Sequence, residues 1–281
     1  MLMCAALIPF AAAAQTDAEP QGVVSVEPSA MLTPKTVSGT AHEVLHEHLI
    51  GIGANNVLDT YLSPLSYTGF SATYLYRTQS RLSKRSPSWR IIGSYALDAS
   101  SLRSPADNVH EWDANLSAAL ILHRRFTLSP TLSLGIGPMA EAMTGFTYNL
   151  RNGNNPAQAH LVLNTGVSGV AEWQFSVFGM PMRSRLQADI PLLGLMFSPA
   201  YGQSYYEIFS LGHYDHNICV NHVFRAPQVR LLATLHIPVG RRIELLCGYH
   251  ADIRQSHVNN IKAHRWQHQF VIGISRSLLM F

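Results

Sequence analysis

From Met182 to Met196 the side chains alternate in character: Leu186, Ala188, Ile190 and Leu192 point one way, Arg183, Arg185, Gln187 and Asp189 the other. From Arg241 to Gln255 the pattern repeats, with Ile243, Leu245, Cys247, Tyr249, Ala251 and Ile253 opposing Glu244, Gly248, His250, Asp252 and Arg254. A period of two belongs to extended chain with one apolar and one polar face. Similar strands read from about Val44 to Gly53, Tyr67 to Thr78, Trp89 to Ala99, Glu111 to Arg125, Thr131 to Asn149, Ala159 to Val177, Val220 to Ile237 and His264 to Phe281. Several exceed ten residues, whereas strands of soluble domains run to about five or six. A helical span needs about 20 consecutive apolar residues. The longest apolar-looking stretch, Ile190 to Tyr206, is broken by Pro191, Gly194, Pro199 and Gly202. Only helices and closed barrels satisfy their backbone in lipid, so the expected fold is all-β, an antiparallel transmembrane β-barrel.

Composition agrees with that reading. Only 13% of the 281 residues are charged and 47% are hydrophobic, against roughly 25% charged in soluble domains. This disfavours a well-solvated cytosolic enzyme. The net charge of +3 is small and scattered, which argues against nucleic acid.

Leu2 to Ala14 is apolar, ends in Ala11-Ala12-Ala13-Ala14 and gives way to Gln15-Thr16-Asp17, the pattern of a secretory signal. The expected organisation is a signal peptide over 1–14, a flexible Pro-, Ser- and Thr-bearing lead-in over 15–40, and a barrel over 41–281. Tight connections at Arg125–Pro130, Phe178–Met182 and Pro238–Arg241 alternate with long ones at Ala99–His110 and Phe197–Cys219. Short periplasmic turns and longer outer loops give this asymmetry. Ten strands follow, with both termini on the periplasmic side, or twelve if Tyr205 to His216 forms another pair. In this scheme Trp89 and Trp173 mark the periplasmic interface, and Trp112 and Trp266 the outer one. Phe281 after an amphipathic strand suits recognition by the barrel-assembly machinery. Because Trp266, Phe270, Ile272 and Ile274 lie on the opposite parity, a bulge is expected at Arg276-Ser277.

Of the three cysteines, Cys4 falls in the signal. A hairpin centred on Val239-Gly240 sets Cys247 opposite about Leu232 and Cys219 opposite about Asn260, beyond the roughly 7 Å that a disulfide bridges. Free thiols are expected.

Two segments carry a family resemblance. Asn56-Val57-Leu58-Asp59-Thr60-Tyr61-Leu62-Ser63-Pro64 with Tyr67-Thr68-Gly69, and Val258-Asn259-Asn260-Ile261-Lys262 with His268-Gln269-Phe270-Val271-Ile272-Gly273, resemble an uncharacterised outer-membrane family of Bacteroidota, domain of unknown function 3316. The resemblance implies a barrel in the cell envelope and supplies no catalytic residues. Asp59 with Tyr61 is the preferred exposed functional spot, in a family-like loop that also holds Pro64, Tyr67 and Gly69, although Asn55, Asn56 and Ser63-Pro64 also suit a turn.

If polar faces point inward, the lumen gathers Asp113, Glu172, Arg183, Arg185, Asp189, Glu244, His250, Asp252 and Arg254. Enclosed charges need partners, so this network is expected to fill and stiffen the barrel rather than catalyse. Fourteen histidines invite a metal or hydrolase reading, densest at His213-Tyr214-Asp215-His216. No Cys or HExxH pattern accompanies them, and no G-x-S-x-G elbow occurs. Gly166-Val167-Ser168-Gly169 reads as small residues in a strand, and His42, His46 and His48 as a polar strand edge. No metal or cofactor is expected. The favoured function is a non-enzymatic outer-membrane protein whose partners are the membrane's lipids and lipopolysaccharide. A small-solute or ion pore is the first alternative, and an enzyme acting on lipid or lipopolysaccharide the second.

Overall fold

The computed structural model describes residues 42–83, 86–153, 155–240 and 242–280. The expected signal, the lead-in and Phe281 lie outside the described residues. The elements are β1 (His42–Asp59), β2 (Tyr67–Ser83), β3 (Ser86–Arg103), β4 (His110–Thr127), β5 (Leu132–Asn149), β6 (Ala157–Val177), β7 (Met180–Phe197), α1 (Tyr205–Phe209), β8 (Ile218–His222), β9 (Gln228–Pro238), β10 (Ile243–Val258) and β11 (Ile261–Met280). All pairings are antiparallel. The order β6-β5-β4-β3-β2-β1-β11-β10-β9-β7, joined by β6 to β7, closes a ring of ten strands with β8 as an extra piece. The first and last strands pair from His42↔Met280 to Asp59↔Ala263 without a register shift. Closure removes the open edges that an extended sheet exposes.

The wall is packed inside out relative to a soluble protein. On β7, Leu186 is 52% exposed on the outer face whereas its neighbour Arg185 is 2% exposed in the lumen. Ile50, Ile52, Phe70, Leu97, Leu116 and Ile136 likewise face outward. Large apolar side chains on the outside and charges within are favourable only where the surrounding solvent is hydrocarbon. The chain is thus an outer-membrane β-barrel. Strands of this length rise roughly 3.3 Å per residue and tilt by about 40°, so their ends project beyond the apolar belt.

One end of the barrel, called upper here, carries the longer connections: 60–66, 104–109, 150–156 and 198–217. The lower end carries tight ones such as 178–179, with His42 and Met280. Trp89 and Trp173 lie toward the lower end, Trp112 and Trp266 toward the upper. Both Cys219 and Cys247 are free, and Cys247 stands opposite Leu235 rather than Leu232, because the connection after β9 is longer than a two-residue turn.

Four expectations are corrected. The region from Val220 to Ile237 is not one strand: β8 pairs with Leu193–Phe197 of β7, β9 with Arg183–Asp189, and 223–227 turns between them while still hydrogen-bonded to Leu192 of β7 and to Gln255 and His257 of β10. Pro191, which has no N–H to donate, sits at this break, opposite a register shift in β6 at Thr165/Gly166. Tyr205 to His216 forms no strand pair; Ser204 caps α1 in a reciprocal box with Glu207. No bulge occurs at Arg276-Ser277, where the ladder is continuous and Arg276 faces outward. His46 and His48 occupy no edge, since β1 is paired on both sides; each hydrogen-bonds a tyrosine on the outer wall, Tyr76 and Tyr74 respectively.

Candidate functional site: the plugged lumen and its covered upper cup

Period-two alternation places every charge of the expected network inside, and strand closure then decides its partners. In the lower tier Arg183 bonds Glu244 at 2.8 Å and approaches Glu172 at 3.9 Å. Arg185 reaches Glu47 on β1 at 3.3 Å, and Arg77 meets the same carboxylate at 3.1 Å. In the upper tier Asp189 pairs with Arg230 at 3.1 Å, and Arg254 bridges Asp252 at 2.8 Å and Glu141 at 2.7 Å. Arg265 lies 3.1 Å from Asp113. Several of these pairs join strands on nearly opposite sides of the ring: β1 with β7, β5 with β10, and β4 with β11. Between the tiers Leu49, Leu75, Ala96, Leu232, Leu246 and Val271 form a buried apolar cluster. His250 is buried with Nδ1 3.3 Å from the Gln269 amide oxygen and Nε2 without a partner.

Glu47, Arg77, Asp98, Glu141, Arg230 and Arg265 belong to this network but were not singled out from the sequence. Of these, Glu141 and Arg230 are each the single Asp, Glu, Lys or Arg of their strand, on its lumen parity. Glu141, between Ala140 and Ala142, shows that signal most clearly.

Above the upper tier lies a cavity of about 110 Å³, lined by Asp59, Asp113, Asn115, Thr147, His160 and Arg254 among others. Asn115 donates from Nδ2 to both oxygens of Asp113 at 3.0 Å. Its amide oxygen can therefore only accept, and it takes the Nδ1 proton of His160 at 2.8 Å. His160 Nε2 stands 3.2 Å from the Thr147 hydroxyl. The order Thr147–His160–Asn115 has the sequence of roles of a nucleophile, base and orienting amide, but the Thr147 hydroxyl donates to Asp113 at 3.2 Å and the residue is 0% exposed. The chain orients an imidazole instead. Deeper, Ser168 donates to Asp189 at 2.6 Å, so the His123 Nε2 at 2.8 Å must donate to it and is no base toward that serine.

The family-like segments converge on the cover of this cavity. Asp59 ends β1 and accepts from the Tyr61 N–H at 2.9 Å, while the Tyr61 hydroxyl donates to the Gln203 carbonyl at 2.8 Å. Tyr61 meets Tyr205 of α1 edge-on. Tyr205 donates to Gln158 at 3.0 Å and accepts from the Ala159 N–H at 2.7 Å. Pro64 is exposed in the first upper turn, Tyr67 is buried with Val57, Leu102 and Val109, and Gly69 lies against the Ser101 carbonyl, where a Cβ would come within 2.1 Å. Asn55 and Asn56 belong to β1 rather than a turn: Asn55 is buried and donates to Ser100. Asn259 and Asn260 both have positive φ, the two-residue hairpin conformation that asparagine tolerates. Asn259 then donates to the carbonyls of Ser198 and His216, pinning the long loop. His213 and His216 are exposed on that loop, and among the described residues no group of three or more side chains could hold a metal ion.

Burial pushes the Tyr205 phenol up to about 12 from its ordinary 10. A raised folded value means that this contribution is complete below pH 10 and is lost as pH rises toward 12. Tyr205→Phe removes both of its hydrogen bonds, each worth about 1 kcal/mol. The expected result is roughly tenfold faster cleavage of the 198–217 loop in limited proteolysis at pH 8, with the unfolding temperature of the barrel unchanged.

A family profile described as Protein of unknown function (DUF3316) matches residues 1–281. No curated protein matches the sequence. Among solved structures, the outer membrane protease OmpT from Escherichia coli is 7% identical with a TM-score of 0.48, over 86% of this chain and 98% of that one. The translocator domain of autotransporter NalP from Neisseria meningitidis is 10% identical with a TM-score of 0.40, over 86% and 90%. Neisserial surface protein A is 10% identical with a TM-score of 0.32, over 83% and 96%.

Proposed function

This chain belongs to the family described as Protein of unknown function (DUF3316), and from that premise and its lumen we propose that it is a closed, non-enzymatic envelope protein. It spans the outer membrane as a rigid scaffold and offers the covered upper cup and loops to the exterior. The observation that carries this reading is the two-tier network, in which arginines cross the lumen to carboxylates on distant strands, with an apolar cluster between. A buried pair holds when both charges are present and costs several kcal/mol when one is removed, so an open state is disfavoured. Outer-membrane lipids and lipopolysaccharide are its surroundings, and the barrel-assembly machinery its partner during biogenesis.

Planar-bilayer recording tests the reading. The intact barrel is expected to show no steady conductance, whereas Glu47→Ala combined with Arg185→Ala, which empties one cross-lumen pair, is expected to pass intermittent current. Steady ohmic conductance by the unmodified protein would support a pore and overturn the proposal. An enzymatic reading finds less support, since the one hydroxyl aligned with His160 is fully buried.

A further inference from the structure

We propose that the outer wall carries a site for one acyl chain of lipopolysaccharide. A trough of about 680 Å³ indents the lipid-facing surface of β3 to β8. Its course follows a row of directly paired residues: Tyr95↔Ala118, Ala118↔Ala142, Ala142↔Leu163, Leu163↔Leu195 and Leu195↔Val220. Alanines at 118, 140 and 142 form the floor where the neighbouring wall carries leucines. The Thr165 hydroxyl donates to the Leu193 carbonyl within the wall, and the surface of the trough is predominantly hydrocarbon.

The direction of this row identifies its occupant. Ala118 sits near the middle of β4 (His110–Thr127), whereas Leu195 and Val220 lie two residues from the upper ends of β7 and β8. The row therefore climbs from mid-membrane to the outer rim. Its five inter-strand steps of roughly 4.8 Å, inclined to the membrane plane by the strand tilt of about 40°, rise about 15 Å. That is one leaflet of a hydrocarbon core about 30 Å thick. A trough of this rise, open at the outer rim, fits a chain of the outer leaflet. Near its upper end Ile218 of β8 and Tyr206 and Phe209 of α1 are exposed, and Phe209 stacks on Phe197 at the top of β7. A second barrel would bring a convex wall and leave the floor empty. The inference depends on the barrel's place in the membrane and not on whether its lumen conducts.

The test is native mass spectrometry of the folded barrel in detergent with added purified lipid A or phosphatidylethanolamine, folding being checked by heat-modifiable gel mobility. Wild type and Ile136→Phe, an outward substitution away from the trough, are expected to retain one lipid A. Filling the floor with Ala140→Phe and Ala142→Phe is expected to lower that retention at least fivefold, and Ala118→Leu alone about threefold. Equal retention by the floor variants and Ile136→Phe would overturn the site. Equal retention of phosphatidylethanolamine would overturn the assignment to lipopolysaccharide, and a dimer lost on filling the floor would assign the trough to a second copy.

Discussion

Replacing Glu141 with alanine is expected to lower barrel stability by about 3–5 kcal/mol, the cost of leaving a buried ionic partner uncompensated. Glu141 is buried and accepts from Arg230 at 2.9 Å and Arg254 at 2.7 Å, with Asn164 donating to its other oxygen at 3.3 Å. Its removal strands two guanidinium groups that Asp189 and Asp252 neutralise only in part. Glu141→Gln keeps the shape and loses the charge, so it separates ionic loss from packing. Both variants are read by the denaturant concentration at which the heat-modifiable band disappears. A Glu141→Ala barrel within about 0.5 kcal/mol of wild type, a change typical of surface substitutions, would show that the upper tier contributes little.

The second large effect is expected at the closing seam. A Cβ on Gly273 of β11 would stand 2.0 Å from the His48 carbonyl oxygen and 2.8 Å from the Leu49 Cα of β1. These are backbone atoms, so relief requires the first and last strands to separate where they complete the ring. Gly273→Ala is expected to cost about 1–3 kcal/mol, as overpacking does, and Gly273→Val to abolish the compact band on unboiled gels. Gly153, with nothing within 4 Å of its Cβ position, supplies the control: Gly153→Ala should leave folding yield unchanged. Normal yield of Gly273→Val would mean that the seam adapts more freely than its geometry implies.

Much of the wall was legible because a strand's two faces are set by covalent geometry alone. Arg183, Arg185, Gln187 and Asp189 could be assigned to one face from the chain itself, and the barrel buries or half-buries all four. The break at Val223–Pro227 was not legible. The apolar run on either side of it continues, and Pro191, which sits at the break, lies on a different strand. Asp59 and Tyr61 stand out in the sequence, but the meeting of Tyr61 with Gln203 and Tyr205 joins positions more than a hundred residues apart. Glu47 carries the lumen charge of a strand segment whose flanking His46 and His48 lie on the outer face.

The sequence by itself determined the class of this protein: long alternating strands, few charges and no unbroken helical span leave a closed wall in lipid as the solution that satisfies the backbone. Which charge meets which was decided only by tertiary structure. Arg185 could have faced any of several carboxylates, and its pairing with Glu47 follows from the stagger at which ten strands close. The cover over the upper cup was decided in the same way. Alternation is a property of two neighbouring residues, whereas a cross-lumen contact depends on the register of every strand between them.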